Sequence, residues 1–208
     1  MTRLVHLVRH GRSLPAAERP PHEWPLHPMA ARGLAALSAA AVLPGTLTRH
    51  QEGVAVPDDA LWFSSPEPKA LQTARVLTDG AISVHDDLRE AVRSAHWFDD
   101  PVEFHHVVRR CFADPGHSAH PGWEPLRHTR TRVVGAVRAL LHAGTERDLV
   151  LVGHGTAWTL VVAALTGAEP DLDAWAAMRM PDHCAVHTDT GTVRSSWGSW
   201  TSGTLERP

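Results

Sequence analysis

The sequence predicts an α/β fold of three layers, α/β/α, with a mostly parallel central sheet, built as a single domain over residues 1–208. Three observations carry that expectation. Short apolar runs of strand length alternate along the chain with stretches of helical spacing, the pattern that covers both faces of a parallel sheet. Two of the strand-like runs end in histidine followed by glycine, at His10-Gly11 and His154-Gly155, and open α/β sheets gather their ligands at the carboxyl ends of strands. The length suits one domain with a full core, without internal repeat or linker.

Taken in order, Arg3 to Ser13 begins as a β-branched apolar run and stops at Gly11, which leaves Arg9 and His10 at a strand exit. Leu14 to Pro28, rich in proline and charge, reads as a loop over that exit. Met29 to Leu43 is alanine- and leucine-rich and reads as a helix ended by Pro44-Gly45. Thr48 to Asp59 is turn-like, Ala60 to Ser64 is a second strand, and Lys69 to Leu77 is a helix after Ser65-Pro66. Ile82 to Val84 is a short third strand, and Asp86 to Asp100 is acidic and irregular. Val102 to Phe112 reads as a helix and Ala113 to Pro125 as a loop. Val133, Val134, Val137, Leu140 and Leu141 give Arg127 to Ala143 its helical period. Asp148 to Val152 is the clearest buried strand, followed by helices over Thr156 to Leu165 and Leu172 to Met178. Cys184 to His187 and Thr192 to Ser196 form a hairpin around Asp189-Thr190-Gly191, and the tail from Gly198 is loose.

Composition narrows the function. A net charge of -3 lacks the basic footprint of a nucleic-acid binder. The longest apolar run, Ala157 to Leu165, is far short of the roughly 20 residues a membrane span needs. No signal peptide is visible, since His6 and Arg9 interrupt the first apolar run. Cys111 and Cys184 are too few for a disulfide scaffold, which points to a soluble protein of the reducing cytoplasm. His105-His106 and the pair His117 and His120 lack matched third and fourth ligands, so no metal is expected.

What remains is a constellation at strand exits: two imidazoles, an arginine, a lysine and a carboxylate, drawn from four blocks of sequence. Glycine beside each histidine permits close backbone approach, and the helix opening after Gly155 offers N–H groups to an anion. Leu7 to Ser13, with Arg9-His10-Gly11 at its centre, resembles the signature of the histidine phosphatase (phosphoglycerate mutase-like) superfamily. Ser64 to Ala74, Leu88-Arg89-Glu90 and Val152 to Gly155 are similar to its other blocks, in family order and spanning most of the chain.

The resemblance implies a phosphoglycerate mutase-like fold and a phosphatase of the phosphatase branch, working through a phosphohistidine without cofactor. His10 is then the nucleophile, activated in its neutral form beside Arg9. Arg9, Lys69 and His154 hold the phosphoryl oxygens, with Ser13 and the backbone at Gly11 and Gly155 adding contacts. Glu90 is the general acid, with Asp86 or Asp87 as substitutes, since the run after Glu90 departs from the family pattern. Lys69 stands where the family carries arginine, which keeps the charge but loses the two-pronged grip on phosphate. The expected substrate is a small phosphomonoester. Two alternatives stand beside it: a mutase, disfavoured by the compact stretch Ala91 to Gly153, and a non-catalytic member that only binds phosphorylated ligands or partners. Specificity is expected in Leu14 to Pro28 and Ala91 to Pro125, with Arg12, Arg93, His96 and His128 as candidates to read a second anion. Oligomeric state is not readable.

Overall fold

A computed structural model of the chain describes residues 3–15, 19–37, 56–94, 98, 100–143 and 146–198. Among the described residues six strands form one sheet in the order β3-β2-β4-β1-β5-β6. They are β1 (Leu4–Arg9), β2 (Leu61–Ser64), β3 (Ile82–Val84), β4 (Leu149–Gly153), β5 (Asp182–His187) and β6 (Val193–Ser195). β1, β2, β3 and β4 run parallel, whereas β5 lies antiparallel to β1 and β6 antiparallel to β5. The mostly parallel sheet and its terminal hairpin are therefore as expected. Among the described residues six helices accompany it: α1 (Pro28–Leu37), α2 (Pro68–Leu77), α3 (Pro101–Ala113), α4 (Leu126–His142), α5 (Gly155–Thr166) and α6 (Leu172–Ala177).

Side-chain alternation divides the core. Val150 and Val152 of β4 join Val8 under α1 and α2, while Leu149 and Leu151 join Val5 and Leu7 under α4 and α5. A third cluster joins Val107, Val108 and Cys111 of α3 to Trp123, Leu126, Leu160, Trp175 and Met178 at one end of the sandwich. Capping explains where the helices begin. Asp100 and Asp171 accept backbone N–H groups at the starts of α3 and α6, and Pro68 and Pro101 take first-turn positions that need no donor. α5 ends at Gly167, whose φ of 73° is the left-handed conformation that glycine adopts freely.

The expected loop Leu14 to Pro28 carries a short 3-10 turn at Pro21–Glu23, and Asp86–Leu88 is a second such turn. The expected helix at Met29 to Leu43 is α1 as far as Leu37; its expected end at Pro44-Gly45 lies outside the described residues. Among the described residues no helix is long and apolar enough to cross a membrane. Cys111 and Cys184 are both buried free thiols.

Candidate active site

Register places the site. Arg9 pairs with Gly153 and Ser64 with Val152 in the parallel ladder, so β1, β4 and β2 end level with one another. The residues that follow, His10, His154 and Ser65, are thereby brought to one rim. The rings of His10 and His154 meet edge to face with centroids 5.2 Å apart. They open on a pocket of about 380 Å³ whose lining includes Arg9, His10, Ser13, Glu67, Lys69, Glu90, Arg93, His154 and Gly155.

The orientation of His10 is determined by one short contact. Its Nδ1 lies 2.6 Å from the carbonyl oxygen of Gly11, which can only accept, so Nδ1 carries the proton and Nε2 is left with its lone pair. Burial pushes the His10 imidazole well below its usual range, and the charges of His154, Lys69 and Arg9 push the same way against the Gly11 carbonyl. The Gly11 carbonyl serves His10, and the Gly11 N–H donates to Thr73 Oγ1 at 3.0 Å. Thr73 in turn donates to the Lys69 carbonyl, which ties the exit of β1 to α2.

Arg9 is held from the other side of its strand, donating to the Met178 carbonyl at 2.8 Å. Its guanidinium passes so close to Gly155 that a Cβ there would sit 3.3 Å from Nε, so Gly155 is small to admit Arg9. Gly153 is small for the indole of Trp158, which a Cβ would meet at 2.5 Å. That indole donates to the Val8 carbonyl and packs the two central strands together.

Glu90 sits where α5 begins, in a position the sequence assigned to an external anion. Its carboxylate accepts the N–H groups of Thr156 and Ala157 at 3.1 and 3.0 Å, and that of Ala91 at 2.9 Å. Two of the orphan donors of the helix start are thus satisfied by the protein itself. Burial raises the Glu90 carboxyl, but Arg93, His154 and the Ala91 N–H outweigh it and hold it below the usual carboxylate range. Arg132 of α4 fastens this loop by donating to the carbonyls of Asp87, Arg89 and Glu90 while pairing with Glu124. Asp86 and Asp87 lie in the 3-10 turn and do not line the pocket.

Lys69 is buried at 6% exposure. Its ammonium donates to the Glu67 carboxylate and to the Pro21 carbonyl, each at 2.7 Å. His154 is similarly enclosed: Nε2 shares a hydrogen bond with Ser65 Oγ at 2.8 Å and lies 3.3 Å from Glu67 Oε1. Burial, followed by Lys69, pushes the His154 imidazole well below its usual range, with Glu90 opposing. Of the residues suggested to read a second anion, Arg93 lines the pocket, with its guanidinium over Phe104 and Trp123, and donates to Thr156 Oγ1. Arg12 and His128 are exposed outside the pocket, and His96 lies outside the described residues.

Glu67 escaped the sequence reading. Its only signal was an acid between two prolines, in Ser65-Pro66-Glu67-Pro68-Lys69, at the edge of a block already attributed to phosphate binding. Arg132 escaped as well, because a polar position on an amphipathic helix carries no mark of the loop it fastens.

A family model described as Histidine phosphatase superfamily (branch 1) matches residues 5–197. No curated protein matches the chain. Among solved structures, the mycobacterial glucosyl-3-phosphoglycerate phosphatase is 19% identical, with a TM-score of 0.63 over 96% of this chain and 99% of its own. The protein TTHB049 of Thermus thermophilus is 23% identical, with a TM-score of 0.60 over 93% of this chain and 98% of its own. A proposed alpha-ribazole-5'-P phosphatase of Escherichia coli is 19% identical, with a TM-score of 0.63 over 95% of this chain and 97% of its own. At these identities the likeness shows the shared phosphoglycerate mutase-like fold.

Proposed function

The chain belongs to the histidine phosphatase superfamily, and from that premise we propose that it hydrolyses a small phosphomonoester through a phosphohistidine on His10. One observation carries the reading: the Nδ1 proton of His10 is committed to Gly11, so that Nε2 offers a lone pair inside a pocket lined by Arg9, Lys69 and His154. The phosphatases among the solved relatives, named for small phosphorylated molecules, support the substrate class.

In the first step Nε2 attacks phosphorus, the N–P bond forms and the bond to the leaving oxygen breaks. Arg9, Lys69 and His154 take up the charge that accumulates on the phosphoryl oxygens. Glu90 gives its proton to the departing alkoxide. The carboxylate is ionised before substrate arrives; it takes this proton from the phosphomonoester bound as its monoanion, because the phosphoryl charge beside it raises its affinity for a proton. In the second step Glu90 takes a proton from water, the oxygen attacks phosphorus, the N–P bond breaks and inorganic phosphate leaves a neutral His10. Among the groups named, each charge-stabilising role falls to a side chain of this chain, and no step requires a metal.

The test is phosphate release from a panel of phosphomonoesters, run with and without a strong chelator, together with acid quenching to trap a phosphorylated protein. Hydrolysis that survives chelation, with an acid-labile phosphoprotein, is the expected result. Retention of phosphorylated ligand without any release would establish the binding-only alternative, and transfer to a second acceptor without free phosphate would establish the mutase.

A further inference from the structure

A carboxylate inside a phosphate pocket is electrostatically adverse, and Glu67 is such a group. It is 4% exposed and lines the same pocket as His10. The mechanism above gives it no role. Its contacts do. Oε2 accepts from the Lys69 ammonium at 2.7 Å, while Oε1 accepts the backbone N–H of Glu90 at 2.9 Å and lies 3.3 Å from His154 Nε2. One side chain therefore touches the cation, the second histidine and the backbone of the acid.

Resting on the phosphoryl-transfer reading, we propose that Glu67 is the positioning residue of the phosphoryl site, fixing Lys69 with one oxygen and His154 with the other. The physical reason lies in lysine. An arginine brings a rigid planar fork, whereas a lysine ammonium is a point charge on a flexible stem with three equivalent donors. Here two of those donors are bound, one to Glu67 and one to the Pro21 carbonyl. The third remains for a phosphoryl oxygen, and the stem is no longer free to swing. Glu67 and Lys69 together supply the fixed donor that arginine supplies alone. The sequence places both on one short stretch, with Pro68 between them locking the turn into α2.

Orthovanadate affinity tests this by its sign, without requiring turnover. If Glu67 is merely a nearby negative charge, Glu67→Gln removes repulsion and tightens vanadate. If it positions Lys69 and His154, Glu67→Gln weakens vanadate by roughly 10-fold, as expected for misplaced binding groups. Glu67→Asp keeps the charge and withdraws both oxygens, and it is expected to weaken vanadate in the same direction. In hydrolysis, kcat should fall by roughly 10-fold in Glu67→Gln while KM moves less, since the lost interactions are those that act on the transition state. In a Lys69→Arg background the same change should cost threefold or less, about one third of the wild-type loss, because the guanidinium carries its own geometry. Tighter vanadate in Glu67→Gln, or losses equal in both backgrounds, would overturn the proposal. A wild-type protein that binds vanadate but hydrolyses nothing would defeat the phosphatase reading, while the vanadate series would still decide the role of Glu67.

Discussion

His10 and His154 at the strand exits contrast with a second buried pair, His6 and His183, deeper in the same sheet. His6 stacks on His183 with ring centroids 5.4 Å apart, close to the 5.2 Å between His10 and His154. Burial pushes the His183 imidazole well below its usual range, with His6 adding to it, much as for the catalytic candidates. Yet both nitrogens of His6 are engaged, Nδ1 with His183 and Nε2 with the Asp148 carboxylate. Neither ring lines the pocket. A depressed imidazole is thus common to both pairs and diagnostic of neither. What separates them is an unprotonated nitrogen facing a cavity among cations.

The contrast can be broken or sharpened experimentally. The largest effect is expected from His10→Ala, which should lower kcat/KM by roughly 10³-fold or more and abolish the acid-labile phosphoprotein. His6→Leu, an equally buried change, should leave kcat within about twofold and instead lower stability by about 1–3 kcal/mol in urea unfolding, because His183 and Asp148 lose their partner. A large fall in kcat there would erase the distinction between the pairs. His154→Ala should cost roughly 10²-fold in kcat, the range for a donor that stabilises transition-state charge. Loss confined to KM would reassign it to ground-state binding.

Acidity gives a smaller, shared signature. His10, His154 and His183 are all held below the imidazole range in the folded state, chiefly by burial. The unfolded chain therefore binds more protons than the native one once the pH drops below about 6.5, and stability falls from there toward acid. Above that pH their contribution is fully present. His183→Gln, which cannot be protonated there, should flatten part of that slope without moving the pH profile of kcat. A pH-independent stability between about 5 and 7 would contradict the buried neutral imidazoles. The smallest effect is expected from Lys69→Arg, which should keep or raise phosphatase activity; complete loss would give the lysine a role of its own.

Much of this site is legible along the chain because each block is local. Arg9-His10-Gly11 and Gly153-His154-Gly155 announce strand exits, since a β-branched run stopped by glycine has few other foldings. Lys69 was recognisable as a candidate cation for phosphate, but its tether was not, because the partner is an acid that simple charge reasoning would keep away from phosphate. Glu90 was recognisable as an acid, but not as the cap of α5, a contact that joins residues 66 and 67 positions apart.

Sequence alone determined the strand and helix alternation and the two histidine exits, which rest on periodicity and on neighbouring residues, and it carried the family through blocks that resemble it. Only the tertiary structure decided which nitrogen of His10 is free, that the start of α5 is filled by Glu90, and that Glu67 grips Lys69. The reason is physical. Periodicity records which face of an element is buried, whereas hydrogen-bond partners depend on the register and closure of elements distant in the chain.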